Sequence, residues 1–221
     1  VDALLILPIL LFSVVVHEVA HGFMALRLGD ATAKEMGRLT LNPIPHIDLF
    51  GSILVPLFSY LAAGSVFIAW AKPVPVNPMN FKNVRRDDIL VSAVGPISNL
   101  VVAMACAFLV GIWSGVIGPV DRSVIDVDGS VLTLLPKMLL IGITLNIYLA
   151  VFNLIPVPPL DGSHIVASLL PHEVGEKYRR IGFLGIFALI VLMRVDAFRN
   201  VVIAVVKTLH IPYALILGLF S

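Results

Sequence analysis

The chain has 221 residues, of which 59% are hydrophobic and only 13% charged, against roughly 25% charged in ordinary soluble domains. With a mean hydropathy of +1.02 this composition excludes a soluble globular protein and describes an integral membrane protein. A net charge of +1 gives no nucleic-acid signature, and no stretch is polar enough to fold alone, so a single membrane-embedded domain over residues 1–221 is expected, with a core over 1–180 and C-terminal helices over 181–221.

Apolar segments run over about Ala3–Leu28, Leu49–Trp70, Ile89–Ile117, Val131–Ile155, Ile181–Met193 and Val201–Phe220. A span needs roughly 20 residues, so all qualify except Ile181–Met193, which either continues past a snorkelling Arg194 or dips part way. The fold class is therefore all-α and polytopic, with about five or six transmembrane helices. The first segment lacks the basic leader and cleavage site of a signal peptide and reads as a spanning helix, while the start at Val1 leaves room for residues upstream. Cys106, the sole cysteine, lies in an apolar run, so it is a packing residue and thiolate ligation of a metal is excluded.

The first segment carries His17-Glu18-Val19-Ala20-His21. Positions i and i+4 share a helix face, so both imidazoles can reach one tetrahedral Zn²⁺, with Glu18 beside them as general base. Ionisable residues at bilayer depth are costly, and as a rule functional. Between Thr32 and Ile47 the pattern is mixed and broken by Gly37, Pro43 and Pro45, which predicts an irregular segment or short strands at the membrane surface. His46 and Asp48 there read as loop polarity, with a loop tether or a place behind the metal ligands as the alternatives.

Lysines and arginines orient the chain. Loop 71–88 has Lys72, Lys82, Arg85 and Arg86, and loop 156–180 has Lys177, Arg179 and Arg180, whereas loop 118–130 sets Arg122 against Asp121, Asp126 and Asp128. The positive-inside rule places the first two in the cytoplasm. Segment 27–48, with Arg27, Lys34 and Arg38, also reads as cytoplasmic, so Leu49–Trp70 should not cross. Its Gly51, Pro56 and Gly64 would let it form a re-entrant hairpin.

A catalytic zinc needs a third protein ligand. Asp161 follows the helix Val131–Ile155 after Pro156, Pro158 and Pro159, and Gly162 permits a turn that would swing its carboxylate back. His164 is the rival. If 49–70 does not cross, Asp161 and the His17/His21 pair share one end of the bundle.

These motifs, with Gly95-Pro96-Ile97-Ser98-Asn99 in a middle helix and Asn153 before Pro156 and Asp161-Gly162, resemble the site-2 protease family of intramembrane zinc metalloproteases. Leu41–Asp48 and Trp70–Pro78 resemble its compact bacterial form, and no PDZ insertion is evident. The resemblance covers the chain to about residue 180. It implies one Zn²⁺ per chain held by His17, His21 and Asp161, with Glu18 activating water, and a substrate that is the transmembrane segment of another membrane protein. The expected setting is the lipid bilayer of the cell membrane, multi-pass, with the site toward the cytoplasmic side. For the developing oxyanion, Asn153 is the first choice as donor and Asn99 the second, with helix bridging as the alternative role of Asn99. A zinc-binding membrane protein without proteolysis, a metal carrier or a helix-masking scaffold, is the competing class.

Overall fold

A computed structural model describes residues 2–48, 51, 54, 71–118 and 131–219. Its regular elements are helices α1 (Asp2–Arg27), α2 (Thr32–Glu35), α3 (Val84–Val116), α4 (Val131–Asn153), α5 (Asp161–Leu169), α6 (His172–Arg179), α7 (Gly185–Arg194) and α8 (Asp196–Gly218). Among the described residues, four helices (α1, α3, α4 and α8) are long and apolar enough to cross a membrane. The ten residues of α7 reach only about 15 Å, half of a bilayer core. The chain does not continue through Arg194 as one helix: it breaks at Val195 and restarts at Asp196, which pairs with Arg199 at 2.6 Å.

Helix α3 is the centre of the bundle and packs against α1, α4, α5 and α8. Small residues make this close approach possible. Ala103, Cys106 and Ala107 on α3 meet Ile143 and Ile147 on α4 and Val206 on α8, all buried. Cys106 is a free, buried thiol, as its apolar setting predicts. Val101, Ile112 and Leu215 are each more than half exposed on outward faces, a surface suited to hydrocarbon.

The N-terminus of α3 lies five residues before the apolar run because it is capped. The Asn83 side chain accepts from the Arg86 amide at 3.2 Å, and Asp87 Oδ2 accepts from the Asn83 amide at 3.0 Å, a reciprocal cap.

The surface segment between α1 and α3 contains no strand among the described residues; the prolines leave it as α2, loops and 3₁₀ turns at Ile44–His46 and Pro78–Asn80. The hairpin expected over 49–70 lies outside the described residues, apart from 51 and 54. Its flanks are joined: the Lys72 amide donates to His46 O at 2.9 Å, and Arg38 donates to Lys72 O at 2.8 Å. His46 is not surface polarity but is buried at 1% exposure, its ring bonded to Thr40 O, which makes it the tether. Asp48 accepts from the Gly51 amide at 2.6 Å.

Asp30 clasps the extended segment Ala71–Asn77 to the end of α1. It is fully buried and accepts from Thr32, from the Asn77 amide at 2.7 Å and from Asn80 Nδ2 at 2.8 Å. Desolvation pushes this carboxyl up, but the hydrogen bonds from Thr32, Asn77 and Asn80 outweigh it and hold it below the ordinary carboxylate range. A lowered folded value means that the contribution is complete above the unfolded value of about 3.9 and is lost as pH falls through the folded value. Asp30→Ala is expected to cost about 1–3 kcal/mol through the orphaned amide donors and to flatten the acid limb of stability. Thermal midpoints of both forms measured between pH 3 and pH 7 check this; parallel curves would refute the clasp.

Candidate metal centre in the membrane helices

His17 and His21 lie one turn apart on α1, facing α3, and both are more than nine-tenths buried. The third member comes from the far end of the sequence. Helix α4 ends at Asn153, the prolines forbid its continuation, and α5 begins at Asp161. Gly162 is part of that helix, with no positive φ, so the turn expected there is absent. It is needed for a different reason: a Cβ would strike the carbonyls of Leu154 and Ile155, and only glycine lets α5 approach the end of α4 this closely.

This approach brings His17 Nε2 to 3.1 Å and His21 Nε2 to 3.4 Å from the Asp161 carboxylate, while the two Nε2 atoms are 3.0 Å apart. His164 does not join them; its Nδ1 lies 4.0 Å from Asp88. The only cluster of metal-ligand type among the described residues is His17, His21 and Asp161.

The chemistry of this donor set calls for a cation. His21 Nδ1 lies 2.6 Å from Val91 O, an acceptor only, so the ring hydrogen is on Nδ1 and Nε2 presents a lone pair. His17 Nδ1 donates to Asn99 Oδ1 at 2.7 Å, with the same result. With both rings neutral, two lone pairs and a carboxylate converge with no hydrogen between them, and Asp161 Oδ2 is buried without a hydrogen-bond partner. Two imidazole nitrogens and one carboxylate are a fit for Zn²⁺ with a position left for water.

Glu18 is outside the ligand set. Its Oε2 accepts from the Val74 amide at 2.7 Å, so the clasped segment 71–77 holds the carboxylate at the wall of the cavity. That cavity, about 740 Å³, is lined by the metal cluster, Glu18, Asn153 and, from α7, Ile186 and Leu189. Asn153 gives one amide hydrogen to Leu149 O of its own helix at 2.9 Å. Asn99 is fully buried behind His17, and its amide hydrogens go to Asn146 Oδ1 at 2.9 Å and Ser13 O at 3.4 Å, which leaves none for an oxyanion. It bridges helices instead.

Other parts of the site carried weaker signals in the sequence. Gly95, one turn before Asn99, faces both imidazoles: a Cβ there would lie 2.7 Å from His17 Cε1 and closer still to the His21 ring. Asp88 accepts from Arg179 at 2.8 Å and Ser168 at 2.5 Å, tying α3 to α5 and α6 and so fixing Asp161 over the histidines. The i,i+4 spacing of Gly95 and Asn99 is the signal for the first; nothing local signals the second.

A metal centre carried on apolar helices, with a glutamate beside the first ligand, defines a membrane metallopeptidase of the HExxH kind. The profile of peptidase family M50 matches residues 5–193, and the chain belongs to that family, the site-2 proteases. Over 183 residues it is 40% identical to "Putative zinc metalloprotease YwhC" of Bacillus subtilis, covering 83% of this chain and 77% of that one. It is 28% identical over 82% of its length to Rip2 of Mycolicibacterium smegmatis and 31% identical over 83% to Rip2 of Mycobacterium tuberculosis, both carrying the same description. The chain spans under two thirds of those two relatives, 64% and 62%. No solved structure matches it.

Asp161→Ala is expected to lose stoichiometric zinc, and His164→Ala to keep it. Metal analysis of the two purified variants separates the candidates; zinc lost from His164→Ala alone would reverse the assignment.

Proposed function

We propose that this protein is an intramembrane zinc endopeptidase that cuts the transmembrane segments of other membrane proteins. His17, His21 and Asp161 would hold one Zn²⁺. The observation that carries this reading is the convergence of two imidazole lone pairs and an unpartnered carboxylate oxygen, with Glu18 and both histidines on a helix long enough to span a bilayer.

When bound, Zn²⁺ would supply Lewis acidity that lowers the pKa of water to about 7 and polarises the scissile carbonyl. Glu18, held by the Val74 amide, takes the proton of the attacking water and passes it to the leaving amine. Asn153 lines the same cavity and has an amide hydrogen to offer the developing oxyanion. A cavity of about 740 Å³ is of the size that takes a small ligand, so a substrate helix enters as a short unwound stretch whose carbonyl is freed from its own hydrogen bonds. The basic loops 71–88 and 156–180 support a cytoplasmic setting for this end of the bundle, in a cell membrane.

The test is co-expression with single-span membrane proteins. Cleavage should stop when zinc is stripped with a chelator and resume when zinc is returned. Cleavage that survives complete stripping would rule out the zinc mechanism.

A further inference from the structure

We infer that Asn146 is a positioning residue of the metal centre, acting through Asn99 to determine which nitrogen of His17 carries its hydrogen. The inference rests on the zinc reading above for its consequence, and on hydrogen-bond chemistry alone for its direction.

An amide side chain has a donor end and an acceptor end of nearly the same shape, so its orientation is fixed only by partners whose own role is unambiguous. The relay starts at such a partner. Gly142 O, a backbone carbonyl on α4, can only accept, and the Asn146 amide lies 2.8 Å from it, so the atom there is Nδ2. The second hydrogen of that nitrogen goes to Ser13 Oγ at 2.8 Å. Ser13 spends its own hydrogen on Ile9 O at 2.7 Å, so its hydroxyl can accept here and cannot donate. Both anchors agree, and Asn146 Oδ1 is left facing Asn99.

The next step follows from the first. The Asn99 atom 2.9 Å from Asn146 Oδ1 is a donor, Nδ2, whose other hydrogen is directed at Ser13 O. Asn99 Oδ1 is thereby turned toward His17 Nδ1, and the imidazole hydrogen must sit on Nδ1. Nε2 then offers its lone pair toward His21 and Asp161. Ser13, Asn99 and Asn146 are all at 0% exposure, so no water competes for any link. The relay joins α1, α3 and α4 at the depth of the metal centre. His21 reaches the same tautomer in one step through Val91 O, so a relay fault would affect His17 alone.

Asn146→Leu keeps the shape and removes the direction. Asn99 then keeps only the long 3.4 Å bond to Ser13 O to orient its amide, and turning it over presents Nδ2 to His17 Nδ1, which moves the ring hydrogen to Nε2 and blocks the ligating lone pair. Asn146→Asp in its neutral acid form keeps a hydrogen for Gly142 O and an acceptor for Asn99, and so preserves the direction.

Two readouts test this. In metal-free protein with ¹⁵N-labelled histidine at about pH 9, where imidazoles are neutral, NMR should find both His17 and His21 as Nδ1–H in the wild type. Asn146→Leu should shift His17 alone to Nε2–H. Zinc competition with a chelator should show affinity about 10–100-fold weaker in Asn146→Leu, and recovered to near the wild-type value in Asn146→Asp. An unchanged His17 tautomer in Asn146→Leu would overturn the inference, as would an affinity loss in both variants with no tautomer shift. Should the wild type bind no zinc, the zinc reading fails, and the tautomer measurement still decides the relay. Should Asn146→Leu fail to fold, Asn146→Ala, which removes the same acceptor, decides: His17 as Nε2–H upholds the relay, and Nδ1–H overturns it.

Discussion

Glu18→Gln is expected to remain loaded with zinc and to lose cleavage by about 10²–10⁴-fold, the range that a general base contributes. The two outcomes are separable because Glu18 is not among the clustered ligand atoms; it sits on the cavity wall, bonded to the Val74 amide. Glutamine keeps an oxygen to accept from that amide, so the clasped segment 71–77 need not move, but its neutral amide cannot take a proton from water. Zinc by atomic spectroscopy and turnover of a reconstituted substrate are the measurements. Zinc lost together with activity would make Glu18 a ligand, and activity retained would remove it from the chemistry.

The second large effect is expected at a residue with no chemistry of its own. Gly95→Ala should weaken zinc binding by about tenfold to a hundredfold and abolish cleavage at ordinary zinc levels, because overpacking of a filled site costs about 1–3 kcal/mol. The added methyl would fall against both imidazoles. Helix α3 cannot withdraw easily: the Asp88–Arg179 ion pair ties it to α6, and Asn99 fixes it to His17. Gly115, more than five turns further along the same helix, has no packing neighbour within 4 Å of the corresponding position among the described residues, so Gly115→Ala is the matched control and should bind zinc as the wild type does. Chelator competition on both variants checks the contrast; equal affinities would show that the histidines have room to move.

Much of this was legible in the amino-acid sequence, for physical reasons that differ by element. The long helices are written in apolar runs that only a spanning segment needs, and the helical period alone puts His17 and His21 on one face. Asp161 was reachable because prolines end α4 next to a carboxylate. The shortfalls come from tertiary placement. Gly162, next to Asp161 after three prolines, reads as a turn glycine, whereas its role is the approach of two helix ends. His46 was read as surface polarity because its neighbours are polar and proline-rich, yet a hydrogen bond to Thr40 O lets it be buried. Asn99 could be placed near the site from its motif, but which way its amide points depends on Asn146, a buried polar residue in a largely apolar helix. The spacing of seven between Asn146 and Asn153, two turns on one face, was the available signal for it.

The most direct measurement is to map the peptide bond cut in a single-span substrate reconstituted in liposomes with the zinc-loaded wild type and with zinc-loaded Glu18→Gln. The account predicts a new terminus within the apolar span for the wild type and none for the variant. A cut confined to residues outside the span, or the same cut made by Glu18→Gln, would contradict it.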